Sequence, residues 1–132
     1  MFEKNEELPE NKWDEKNPIM LQVDIQDTIT AHNLYINIRN AGGYQFSNIF
    51  LFFTTKSPSG KMERDTVEIP LADATGKWLG DGLGDIWDNR VLFRDNFRFP
   101  EKGIYEFKLE QGMRINPLPQ IMDVGIRIEK KI

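Results

Sequence analysis

The chain has 132 residues, with 17 basic and 21 acidic side chains and a formal net charge of −4. Its length predicts one domain. The absence of cysteine and the presence of a single histidine exclude disulfides, cysteine nucleophiles and zinc sites built on thiolates or histidine pairs. The mild acidity offers no basic surface for a nucleic-acid backbone, and no apolar run approaches the roughly 18 residues of a membrane-spanning helix.

The first 17 residues differ in composition from the rest of the chain. They carry six acidic side chains and three lysines but few apolar groups. Such a composition buries too little apolar surface to offset the entropy of ordering. We therefore expect residues 1–17 to form a flexible, dispensable tether, with Leu8 and Trp13 as its only plausible anchors onto a domain over residues 18–132.

From Pro18 onward, apolar residues alternate with polar ones in five runs. A period of two is typical of a strand with one buried face. The apolar positions of these runs are Ile19, Leu21, Val23 and Ile25; Leu34, Ile36 and Ile38; Val67, Ile69 and Leu71; Tyr105, Phe107 and Leu109; and Val124, Ile126 and Ile128.

Two further segments complete the predicted strands. Residues 49–53 are all apolar, which predicts a central strand covered on both faces. Residues 91–99 form either one bulged strand or a short hairpin, because Asp95 and Asn96 interrupt the pattern. Proline and glycine turns separate the strands. The sequence predicts an all-β fold, an antiparallel two-sheet sandwich of jelly-roll-like type.

One long segment, residues 72–90, is rich in glycine, aspartate and tryptophan. Loops of this length are usually functional or disordered, and its two tryptophans argue against disorder. We expect an ordered flap whose tryptophans cover an apolar sheet face that includes Phe50 or Phe52. The candidate ligand- or partner-binding residues of this loop are Trp78, Asp81, Asp85, Trp87 and Asp88.

Several chemistries compete for this loop. Its aspartates suggest a calcium site, but the residue order of an EF-hand is missing, and we expect neither a metal nor a cofactor. A carboxylate pair for glycoside hydrolysis is compatible with the spacing alone. Exposed tryptophans would instead suit sugar stacking, as in a carbohydrate-binding β-sandwich module. No catalytic residue is predicted, because the single histidine, His32, lies in a polar turn without a nucleophile motif.

Short motifs along almost the whole chain resemble the GldH family of gliding-motility lipoproteins from Bacteroidota. They are LYINIR at 34–39, SNIFLF at 47–52, GKWLG at 76–80, GDI at 84–86, DNR at 88–90, RFP at 98–100, EQGMR at 110–114 and VGIRIEK at 124–130. The resemblance implies a non-enzymatic lipoprotein domain of the cell envelope, facing the periplasm and associated with the gliding-motility apparatus. Its implied partners are other envelope or gliding-machinery proteins.

The acylated cysteine of that family is absent from this sequence. We therefore expect the N-terminal lipid anchor to lie outside the chain, with residues 1–17 linking the domain to the membrane. The alternative function is a carbohydrate-binding module. A groove lined by exposed Trp78 and Trp87 would favour the alternative, whereas buried tryptophans would favour the lipoprotein domain.

Overall fold

Two antiparallel sheets face each other in the computed structural model, which describes residues 1–132. The five-stranded sheet has the spatial order β1 (Phe2–Glu7), β11 (Ile121–Lys130), β4 (His32–Ala41), β8 (Ile86–Phe97) and β7 (Asp81–Leu83). The four-stranded sheet has the order β3 (Ile19–Ile25), β9 (Gly103–Gln111), β5 (Asn48–Lys56) and β6 (Met62–Pro70). A small third sheet pairs β2 (Lys12–Trp13) with β10 (Leu118–Pro119). The predicted all-β sandwich is confirmed.

The core lies between the inner faces of the two main sheets. The predicted alternation is confirmed in β3 and β4, where every second residue is buried. Ile36 of β4, Leu51 of β5 and Leu109 of β9 are fully enclosed. Burial of these aliphatic and aromatic side chains is the main favourable contribution to folding.

The structure answers the open questions about the segments 49–53 and 91–99. β5 lies between β9 and β6, as expected of a central strand. Its outer face is only partly covered, because Phe50 is 37% exposed while Phe52 lies beneath the guanidinium group of Arg64, 4.2 Å from the ring centroid. β8 is a single strand whose register against β4 shifts near Leu34, so the bulged strand is the correct alternative.

The N-terminal segment is part of the sandwich, which corrects the expected flexible tether. β1 pairs with β11 along its whole length, from Phe2 opposite Ile128 to Glu7 opposite Asp123. Beyond a 3-10 turn at Pro9–Asn11, Trp13 is 0% exposed and its indole N–H donates to the Asn17 carbonyl at 3.0 Å. Of the six acids that suggested solvation, Glu3 and Glu7 are exposed side chains on the outer face of this edge strand.

The glycine-rich segment is ordered and shorter than predicted. Ala72 bridges to Trp78, and β7 forms a hairpin with the start of β8, so residues 86–90 belong to a strand. At Gly84 a φ of +64° supplies the left-handed conformation of the hairpin turn. No helix of the molecule has the length and apolar character needed to cross a membrane.

Candidate functional site

The outer face of the five-stranded sheet carries polar and charged side chains in cross-strand rows. Because strand residues alternate between faces, residues that are paired across neighbouring strands point to the same side. One row crosses all five strands and contains Glu7, Asp123, Arg39, Asp88 and Asp81. This row places four carboxylates and one guanidinium side by side, and we call the whole outer surface the charged face.

Arg39 connects the middle of that row. Its Nε donates to Asp88 at 2.6 Å, and its Nη1 lies 3.0 Å from an Asp123 oxygen. Burial raises the pKa of Asp123, and the nearby carboxylates of Glu7 and Asp88 raise it further, while Arg39 opposes the shift. Arg39 therefore does not fully offset the combined effect of burial and the neighbouring carboxylates.

Glu3 contacts several charged and polar side chains on the other side of the charged face. Its carboxylate lies 3.0 Å from Arg127 and 3.4 Å from Arg90, and it accepts a hydrogen bond from Asn37 at 2.9 Å. Arg127 also binds Glu129 at 2.9 Å. The edge strand β1 is thus bound to β11 by its backbone and by side chains, and to β4 and β8 by side chains alone.

Between these clusters lies an open groove of about 540 Å³. Its ionisable lining residues are four acids and two arginines, namely Glu3, Asp81, Asp88, Asp123, Arg39 and Arg90. Asp81 is exposed and makes no ion pair or side-chain hydrogen bond within the protein. The Asn37 Oδ1 atom is enclosed without a hydrogen-bond partner. The groove therefore has an excess of negative charge and unused hydrogen-bond acceptors.

The candidate residues of the 72–90 segment divide between two surfaces. Asp81 and Asp88 are cross-strand neighbours on the charged face. Asp85 lies in the hairpin turn, where its carbonyl accepts the Gly42 N–H at 3.1 Å. Trp78 and Trp87 are half-buried and pack together, with ring centroids 5.7 Å apart. Of the five candidate residues, Asp81 and Asp88 thus lie beside arginines on the charged face. The two tryptophans do not belong to that face.

The tryptophans do not form the expected cover over Phe50 or Phe52. Trp78 has Tyr44 as its other aromatic neighbour, at 6.5 Å. Arg64 covers Phe52 instead, and the sulfur of Met113 lies 3.2 Å from the Phe50 backbone nitrogen. An arginine therefore occupies the place over Phe52 that the sequence assigned to the flap, and the Phe50 side chain stays partly exposed.

The sequence analysis did not predict the arginines of the charged face or the acids of β1 as functional residues. A usable signal existed, because Asn37 and Arg39 alternate with buried isoleucines and must share one face. The same alternation aligns Arg127 with Glu129 on β11. The sequence alone does not show which strands are neighbours in the sheet. It therefore could not show that the polar residues of β4 and β11 lie side by side.

The alternative chemistries find little geometric support. Of the three aspartates that could form a carboxylate pair, Asp81, Asp85 and Asp88, the last is bound to Arg39. The structure contains no group of three or more histidine or acidic side chains arranged to hold a metal ion. Neither Trp78 nor Trp87 lines the groove.

Comparison with known proteins gives a consistent result. The model of the GldH lipoprotein family matches residues 1–128. A gliding motility lipoprotein GldH homolog from Christiangramia forsetii is 36% identical over 127 residues, which cover 91% of this chain and 78% of that protein. Gliding motility lipoprotein GldH of Flavobacterium johnsoniae is 30% identical over 126 residues, with 90% and 78% covered. No solved structure matches. The chain belongs to the GldH lipoprotein family.

Proposed function

We propose that this protein is a non-enzymatic domain of a membrane-anchored envelope lipoprotein. It faces the periplasm and serves the gliding-motility apparatus by binding other envelope proteins through its charged face. The family and the names of both relatives support the association with motility. The observation that carries the binding surface is the row of charges that crosses all five strands.

The size and chemistry of the face suit a macromolecular partner. With strands about 4.8 Å apart, a row across five strands is about 19 Å wide. Nine of the ten residues that line the groove are polar or charged, whereas small-molecule sites are mostly apolar clefts. Charges at a protein interface chiefly determine specificity and association rate. The excess of carboxylates favours a partner surface that carries lysine or arginine.

A charge reversal tests this proposal in the full-length, acylated protein. Asp81 is exposed and unpaired, so Asp81→Lys reverses the charge of the face without breaking an internal ion pair. The control is Glu106→Lys, which makes the same change on β9 in the other sheet. We expect Asp81→Lys to lower the amount of envelope protein that co-purifies with the lipoprotein from native membranes, and Glu106→Lys to leave it at the parent level.

Two outcomes would contradict the proposal. In one, both variants retain the same partners in parental amounts, which would show that the charged face is not in contact with them. In the other, the purified domain binds polysaccharide and loses that binding with Trp78→Ala, which would favour the carbohydrate-binding module.

A further inference from the structure

The two ends of the sandwich differ in charge. At one end, β1 begins, the loops 26–31 and 98–102 cross between the two sheets, and the turn 57–61 joins β5 to β6. We call it the cationic end, because its loops and strand ends carry six basic and two acidic side chains. The bases are Lys56, Lys61, Arg98, Lys102, Lys130 and Lys131, and the acids are Asp27 and Glu101. The loops at the opposite end carry more acids than bases.

Half of these basic side chains have no carboxylate within ion-pair distance. Lys56, Arg98 and Lys102 make no ion pair, and Lys130 lies 3.8 Å from Asp27. The molecule as a whole has a net charge of −4. A local excess of positive charge on a negatively charged protein favours contact with an anionic surface at this end alone.

An apolar side chain projects from the same end. Ile29 is 82% exposed at the tip of the loop 26–31. The loop is nevertheless well ordered. The Asp27 carboxylate accepts hydrogen bonds from the N–H groups of Ile29 and Thr30, both at 2.9 Å, and Arg98 donates to the Ile29 carbonyl at 3.1 Å. The fold thus presents an isoleucine to the exterior beside a guanidinium group.

The position of β1 relates this end to the membrane. The chain belongs to a lipoprotein family, so it is anchored to a membrane, and we expect the anchor before β1. β1 begins at Phe2, opposite Ile128, and runs away from the cationic end. A segment that precedes β1 therefore leaves the sandwich at the cationic end, and this is the end that the anchor brings closest to the bilayer.

We propose that the cationic end rests on the surface of the anchoring membrane and recognises anionic phospholipid. Ile29 inserts among the headgroups, while the lysines and Arg98 contact lipid phosphates. Apolar insertion combined with basic side chains is the usual chemistry of attachment to a membrane surface. The inference rests on the membrane-anchored part of the proposed function.

This orientation also places the charged face. The strands then rise from the bilayer, so the outer surface of the five-stranded sheet opens to the side and not toward the lipid. Glu7 lies five residues beyond Phe2 along β1, which is roughly 17 Å. The row of charges that begins at Glu7 is therefore held above the headgroups, where an envelope protein can reach it.

Depth-dependent fluorescence quenching tests the proposal in the full-length, acylated protein. The sequence has no cysteine, so Ile29→Cys accepts a thiol-reactive fluorophore at one position. The control is Leu83→Cys at the opposite end, where the parent side chain is 86% exposed. In vesicles of phosphatidylethanolamine and phosphatidylglycerol, we expect a lipid with a nitroxide near its headgroup to quench position 29 much more than position 83.

Charge reversal tests the electrostatic part. Lys102→Glu should lower the ratio of membrane-bound to free cationic ends about fivefold or more, as expected for a lysine near an anionic surface. The quenching at position 29 should fall accordingly, and replacing phosphatidylglycerol by phosphatidylcholine should have the same effect. The matched control is Lys16→Glu, an exposed lysine at the opposite end without an ion pair. It should leave the quenching at its parental level.

Two results would overturn the proposal in a protein that remains anchored to the vesicles. One is quenching at position 29 that does not exceed quenching at position 83. The other is an equal effect of Lys102→Glu and Lys16→Glu, with both variants folded as judged by their melting curves. Either result would leave the partner-binding role of the charged face intact. A full-length protein that does not associate with vesicles would instead contradict the anchored lipoprotein, and this inference with it.

Discussion

At the scale of single residues, the carboxyl group of Asp123 makes the stability of the fold depend on pH. Its pKa is raised by burial and by the carboxylates of Glu7 and Asp88, against the opposing effect of Arg39. A folded-state pKa above the unfolded value of 3.8 means that the folded protein holds the proton longer. The contribution of Asp123 to stability is therefore greatest at low pH and is lost as the pH rises through the folded pKa.

Asp123→Asn should consequently gain stability relative to the parent as the pH rises from about 3.5 to 6. Asp73 provides a control of opposite sign, because hydrogen bonds from the Thr75 hydroxyl and the Lys77 and Thr75 N–H groups lower its pKa. Asp73→Asn should lose stability relative to the parent over the same range. Melting temperatures measured at several pH values test both variants. The same trend for the two variants would contradict the assigned environments.

Trp13 and Trp78 have different structural roles, although both are large aromatic residues. Trp13 is fully buried, whereas Trp78 is half-buried against the edge of the core. Trp13→Ala should lower the free energy of unfolding by about 3–5 kcal/mol, as expected of a large-to-small core substitution. Trp78→Ala should lower it by about 2 kcal/mol. Urea denaturation measures both, and equal losses would contradict this assignment of burial.

At the scale of elements, the pairing of β1 with β11 depends on a glycine. A Cβ atom at Gly125 would collide with the Lys4 carbonyl oxygen and with Asn5, so only glycine permits this close approach. Deleting residues 1–7 should lower the melting temperature by about 5 °C or more, equivalent to roughly 1 kcal/mol in a domain of this size. The deletion removes a paired strand and the carboxylate that binds Arg127.

The combination of the two changes tests the contact directly. Gly125→Ala should destabilise the full chain because it displaces β1, and it should have little effect in the chain that lacks residues 1–7. Such non-additivity is the signature of direct contact in a double-mutant cycle. Equal effects of Gly125→Ala in both backgrounds would show that the β1 contact is not the cause.

Some strands of this fold could be predicted from the sequence and others could not. The strands around Leu21, Ile36 and Phe107 were predictable because one buried face imposes a period of two. β1 was not, since an edge strand held by backbone hydrogen bonds and ion pairs needs few apolar residues. Asp81 and Asp88 were identified as candidates, but Arg39 and Glu3, which complete their surface, come from segments that only the folded topology brings together.

At the scale of the whole molecule, the two outer surfaces of the sandwich differ in character. The outer face of the five-stranded sheet is mostly charged and polar, with Leu92 of β8 as an exposed apolar side chain. The outer side of the four-stranded sheet mixes charges with exposed apolar groups such as Met20, Phe50 and Ile104. A domain with two such distinct faces can contact a partner through one of them while the other remains free, and the charged face is the one we assign to partner binding.

Site-specific photocrosslinking in the native envelope tests that assignment most directly. A photoreactive residue replaces Asp81 on the charged face or, as the control, Gln22 on the outer side of the four-stranded sheet; both positions are exposed. Our account predicts a crosslinked protein partner from position 81, with little or none from position 22. Crosslinks from position 22 alone, or equal crosslinks from both positions, would contradict it.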